Sequence, residues 1–266
     1  MQDVNSKQII SIKSNLEKLY TRIGNSCTKA RRSLKEILLV AVTKTVSVEN
    51  IFAGIDAGIK VIGENRVQEA LEKYSVIGNE ARPAPFDKES SDNQNIQKSN
   101  ITDLDKKCGV QWHLVGHLQT NKVKKALEIF TMIQSIDSLH LAQEIERRAI
   151  AIQKHIHILI EVNTSQEETK FGVKPSQLID LVKDILNLSH LKLSGLMTIG
   201  PGLAIEDKEK SRPCFRMLYD LKQKVETEFG IKLPYLSMGM SSDFEVGIEE
   251  GSNMIRVGTA IFGARV

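Results

Sequence analysis

No stretch of this chain comes near the ~20 consecutive apolar residues that a membrane-spanning helix needs; its apolar runs are short, such as ILLVAV at 37–42. The first ten residues, MQDVNSKQII, lack a basic segment followed by an apolar core, so no secretory signal is expected. Cysteine is scarce as well. Cys27, Cys108 and Cys214 are odd in number, widely spaced and without a C-x-x-C pair. That argues against a disulfide framework or a cysteine zinc site and fits a reducing cytoplasm. Excess charge is also missing: a net +3 over 266 residues is too mild and too dispersed to argue for nucleic acid. The densest basic cluster, NKVKKALE from Asn121, reads most simply as a solvated helix face.

What is present is an alternation. Ile9, Ile12, Leu16, Leu19 and Ile23 recur at helical spacing and predict a first helix within residues 1–30. Short apolar runs follow near 37–43, 60–62, 112–115, 131–136, 156–162, 191–199, 234–238 and 254–257, separated by amphipathic stretches such as 138–153 and 213–229. Pro213 suits a first helical position, and SDFE at Ser242–Glu245 has the form of a capping box. Strands alternating with helices mean parallel βαβ units. Eight of them in this length point to a single α/β domain over 1–266, a (β/α)8 TIM-like barrel, with an open doubly wound sheet as the alternative. The polar, aperiodic segment 78–107 reads as a flexible insertion loop between the second and third strands.

In such a barrel, chemistry sits at the carboxyl ends of the strands, so the lysine that ends the first strand is the residue to explain. Lys44 shares strand parity with Leu38, Val40 and Val42, whereas Leu39, Ala41 and Thr43 project to the other face. If the even set faces the axis, Lys44 caps the interior, where loss of water lowers an amine pKa and makes it a Schiff-base nucleophile. The competing reading is a lysine snorkelling to solvent. After the seventh and eighth strands, Ser241 and Ser242 precede a helix, and RVGT puts Gly258 and Thr259 directly after a strand. Loops in these places seat phosphate in many barrels, against a plainer reading as helix caps. An amine trap and a phosphate seat on one rim suit a phosphorylated aldehyde.

The chain resembles the YggS/PROSC family of pyridoxal phosphate homeostasis proteins. The resemblance runs through LLVAVTKTV, GENRVQEA, WHLVGHLQTNK, VNTSQEETKFGV, GLMTIG and LSMGMSSDFEVGIEEGSNMIRVGTAIFGAR, in order and over most of the sequence. It implies a lone barrel of the alanine racemase N-terminal-domain type holding pyridoxal 5′-phosphate (PLP). Carried over motif by motif, Lys44 is the aldimine lysine and Asn65 lies beside the ring. Met238, Ser241, Gly258 and Thr259 line the phosphate side, and Arg256 faces the pyridine nitrogen. The resemblance further implies a cytoplasmic monomer that buffers PLP and hands it transiently to apo enzymes, without efficient catalysis of its own. His117 and the length of the 78–107 insertion depart from the family pattern without touching these motifs.

Two other readings stand beside it. A PLP-dependent amino-acid racemase would need a second acid/base across the imine, supplied in alanine racemases by a tyrosine from another domain. None of Tyr20, Tyr74, Tyr219 and Tyr235 falls at an obvious rim position, Tyr235 being nearest. A Schiff-base aldolase would use Lys44 without a cofactor. His113 with His117, or His155 with His157, are spaced so that either pair could supply metal ligands, but no H-E-x-x-H accompanies them, and hydrogen-bonded or exposed histidines are expected. GPGLA from Gly200 lacks the third glycine of a nucleotide loop and reads as a turn. Glu161 is either a base near the ring or a structural group within the barrel.

Overall fold

The computed structural model describes residues 2–79, 109–202 and 206–263. Eight parallel strands close into a barrel in chain order: β1 Leu38–Val42, β2 Val61–Glu64, β3 Gln111–Leu114, β4 Met132–Ile136, β5 Ile156–Glu161, β6 Leu191–Met197, β7 Tyr235–Ser237 and β8 Met254–Val257. Closure is made by β8 against β1, with Val40 opposite Arg256 and Ala41 opposite Val257. This excludes the open sheet. The helices are α1 Gln2–Lys29, α2 Val48–Asp56, α3 Val67–Asn79, α4 Val123–Ile129, α5 Leu139–Ala151, α6 Leu178–Ile185, α7 Arg212–Phe229, α8 Phe244–Glu249 and α9 Thr259–Phe262.

Strand parity divides the core in two. Leu38, Val40, Val42, Val61, Val115, Met132, Leu159, Met197, Tyr235 and Met254 fill the barrel interior. Leu39, Ala41, Ile62, Trp112, Leu114, Ile158 and Ile160 face outward into the larger layer under the helices. Apart from the exposed Lys192 of β6, the strands are largely buried on both faces, which is why they read as continuous apolar runs rather than alternating ones. Ile12, Leu16, Leu19 and Ile23 form the buried stripe of α1, which packs against α2, α8 and α9 and covers the β8–β1 seam.

Three local expectations change. The capping box at Ser242–Glu245 does not form: α8 starts at Phe244 with Asp243 as N-cap and no side-chain cap bond. The Asp243 carboxylate instead accepts from the Met240 N–H at 2.7 Å and the Ser211 hydroxyl at 2.6 Å, tying the turn after β7 to the start of α7. β2 extends through Glu64, past the apolar run that announced it. Helix α3 takes in Gly78 and Asn79, and the rest of the 78–107 segment lies outside the described residues.

Candidate functional site

The site is built where β1 and β8 end side by side. Lys44 lies two residues past β1 in a turn and is half-buried. Leu38, Val40 and Val42 do face the interior, so the parity argument for β1 holds up to the residue two before Lys44. Thr45, next in the chain, has φ +62°, a left-handed conformation that a β-branched residue adopts only under constraint. Across the seam, a Cβ on Gly258 would come within 3.0 Å of the Val42 carbonyl oxygen. Glycine there lets the chain after β8 lie directly against the strand end that leads to Lys44. Thr259 then opens α9, whose Ala260 N–H donates to Ser241 Oγ at 3.4 Å. Ser241, Gly258 and Thr259 thus gather on the Lys44 sector of the rim.

Asn65 follows β2 and is half-buried. The Asn65 carbonyl stands where a side chain on Gly116 would be, so the loops after β2 and β3 touch backbone to backbone. Ser135 at the end of β4 donates to the Gly116 carbonyl at 2.7 Å and extends this join. Met238 is different: it is fully buried in the outer core. Its N–H donates to the Met254 carbonyl at 3.1 Å, and its carbonyl accepts from the Ser252 hydroxyl at 2.7 Å. It shapes the β7 turn from beneath, and its side chain packs away from the interior.

Below the rim runs a polar belt that local patterns did not announce. Arg256 is 4% exposed. Its Nη1 donates to Ser237 Oγ at 2.7 Å and its Nη2 to the Thr198 carbonyl at 2.8 Å. The Ser237 hydroxyl donates to Gln134 Oε1 at 2.7 Å, and the Gln134 amide pairs with His113 Nδ1 at 3.0 Å. Burial, with the neighbouring His157 adding to it, pushes His113 down to about 3. The imidazole is therefore neutral, and the Gln134 amide assigns its Nδ1 as the acceptor. Burial likewise pushes Arg256 down to about 10, opposed by Glu161, so the guanidinium stays charged at neutral pH.

Glu161 ends β5 and is 4% exposed. Burial pushes its carboxyl up to about 7, with Arg256 opposing and Asp137 adding to the rise. The folded chain thus holds a proton here that the unfolded chain has released between roughly pH 4.5 and 7. Stability is expected to fall as pH rises through that window, by up to about 3 kcal/mol. Glu161→Gln should flatten this slope. Urea unfolding at pH 5 and pH 8 checks it, and equal slopes in the two proteins would refute the assignment.

The histidine pairs read from spacing are split by the fold. His113 is in the belt, whereas His117 lies on the rim, 3.2 Å from Asp137 Oδ2 and stacked on Phe171 at 4.0 Å. His157 points inward, its Nδ1 2.7 Å from Ser194 Oγ, and His155 is exposed and stacks on His190 outside the barrel. All are hydrogen-bonded or exposed, as expected. Among the described residues no group of three or more His, Cys, Asp or Glu is disposed to hold a metal ion. The four tyrosines lie away from the rim. Tyr235 is buried in the interior two residues before Ser237, Tyr74 meets Trp112 edge-on under α3, and Tyr20 and Tyr219 are on α1 and α7.

Comparison with known proteins gives a consistent result. The family model described as alanine racemase, N-terminal domain, matches residues 12–266. A pyridoxal phosphate homeostasis protein of Aquifex aeolicus is 41% identical over 250 residues, covering 94% of this chain and 96% of its own. The structure of PipY from Synechococcus elongatus with PLP bound superposes with a TM-score of 0.74 at 28% identity, covering 95% of this chain and all of that one. An alanine racemase of Clostridium difficile, at 15% identity and a TM-score of 0.68, shares the fold; the match covers 96% of this chain and 60% of the racemase.

Proposed function

The chain belongs to the pyridoxal phosphate homeostasis protein family, built on the alanine racemase N-terminal domain, and on that premise we propose that it holds PLP through an imine to Lys44 and serves its storage and delivery. What supports this reading is the close approach of Gly258 to Val42, two residues before Lys44, with Ser241 joined to the following helix through the Ala260 N–H. A side chain in place of Gly258 would meet the Val42 carbonyl and push the chain after β8 away from the strand end that leads to Lys44. When bound, PLP supplies an aldehyde that a neutral amine captures. The Ser241 and Thr259 hydroxyls are suited to the phosphate, and Asn65 to the ring.

Arg256 argues against transaminase-type chemistry, and the tyrosines argue against racemisation. A carboxylate at the pyridine nitrogen keeps that nitrogen protonated and makes the cofactor a strong electron sink. A buried guanidinium, held in place by Ser237 and the Thr198 carbonyl, disfavours that protonation and weakens carbanion chemistry. The positions of the four tyrosines leave the opposite face without the phenol that racemases use. We place the protein in the cytoplasm as a monomer, meeting apo PLP-dependent enzymes transiently.

Freshly purified protein is expected to show a visible absorption band that borohydride converts to a single adduct on the Lys44 peptide. No steady amino-acid racemisation is expected. Sustained turnover that disappears in Lys44→Ala would overturn the carrier reading.

A further inference from the structure

Behind the strand end that carries Lys44 lies a buried charged cluster that neither the barrel core nor the polar belt requires. Lys73, on α3, is 7% exposed and Glu64, at the end of β2, is fully buried. The Lys73 ammonium donates to the Thr43 carbonyl at 2.6 Å, to Glu64 Oε1 at 2.8 Å and to Glu69 Oε1 at 2.6 Å. An ammonium has three N–H donors, and all three are used. The Thr43 hydroxyl also donates to Glu64 Oε1, at 2.6 Å. On the far side of Lys44, the Thr45 N–H donates to Glu69 Oε1 at 2.6 Å.

The residues on both sides of Lys44 are therefore gripped by one cluster. Thr43 is held at its carbonyl and hydroxyl, and Thr45 at its N–H in the left-handed conformation it would otherwise leave. Strand parity makes this grip directional. Thr43 projects outward toward α3, where its hydroxyl meets Glu64, so the hold on the turn comes from the helix side. Buried ion pairs are poor devices for stability, because desolvation offsets most of the attraction. An apolar side chain at position 73 would fill the space without binding a carbonyl and two carboxylates at once.

We propose that Lys73 and Glu69, with Glu64, are positioning residues that fix the backbone at 43–45 and thereby orient the Lys44 amine for capture of the PLP aldehyde. The proposal rests on the reading of Lys44 as the imine-forming residue. A misplacement of about 1 Å at a reacting group costs on the order of a hundredfold in rate. Loosening one side of the grip is accordingly expected to slow imine formation about tenfold.

The test uses the full chain stripped of PLP, remixed with PLP and followed at the visible band, then reduced with borohydride and mapped by peptide mass. Glu69→Ala and Lys73→Met are expected to react about tenfold more slowly, with adducts spread onto other lysines. Glu69→Gln retains an oxygen acceptor for the Thr45 N–H and should restore wild-type rate and site selectivity. Thermal melts identify variants that do not fold. Glu69 keeps about a quarter of its side chain exposed, so the Ala and Gln pair at that position carries the test if Lys73→Met does not fold. Wild-type rate and selectivity in folded Glu69→Ala would overturn the positioning role. Absence of a Lys44 adduct in the wild-type protein would instead overturn the function on which that role rests.

Discussion

Lys44→Ala is expected to abolish the visible band and the borohydride adduct while leaving the fold intact. The side chain is half-buried in a turn outside both core layers, so its removal costs little packing; surface substitutions of this kind usually fall within about 0.5 kcal/mol. The chemical cost is much larger. Without the amine, PLP keeps only non-covalent contacts, and its affinity is expected to fall by about a hundredfold, equivalent to ~2.7 kcal/mol. Lys44→Arg should fail equally, because a guanidinium does not lose its proton to become a nucleophile. Equilibrium dialysis gives the affinity, and peptide mapping gives the site. An undiminished adduct in Lys44→Ala, on Lys73 for example, would move the imine elsewhere.

The barrel was legible because its strands are largely buried on both faces. Leu38 to Val42 form an uninterrupted apolar run, and all eight observed strands overlap the runs from which they were read. What sequence patterns left out is the set of groups whose partners are distant. Ser237 meets Gln134 across 103 residues, and His113, Gln134 and Arg256 come from β3, β4 and β8. No local spacing encodes that belt. Only the apolar surroundings of an isolated polar residue, such as Gln134 within MIQSI, mark it as needing a partner. Glu64 hid in the same way: it ended the apparent apolar run of β2 early because its charge is matched by Lys73, nine residues on. The SDFE pattern failed for the converse reason. Asp243 found stronger acceptor roles with Met240 and Ser211 than a cap provides. Met238 was assigned to the phosphate side by its motif, yet the parity of β7 sends its side chain into the outer core.

The second large effect concerns the charge at the centre of the belt. Arg256→Met should lower stability by about 3–5 kcal/mol, the usual cost of removing one partner from a buried charged network, and the melting temperature by on the order of 10 °C. Three losses coincide: Ser237 Oγ and the Thr198 carbonyl each lose a donor, and Glu161 loses the cation that opposes its burial. The first two persist whatever stands at position 161, but the third vanishes if the carboxyl is already an amide. In the double variant Arg256→Met/Glu161→Gln the costs should therefore fall short of additivity by about 1–2 kcal/mol. The cycle is best measured by urea unfolding at pH 8, where Glu161, at about 7, is largely ionised. At pH 5 it is protonated in both backgrounds, and the coupling should nearly disappear. Strict additivity at pH 8 would mean that Arg256 is held by its hydrogen bonds alone, and that Glu161 answers only to the dryness of the barrel.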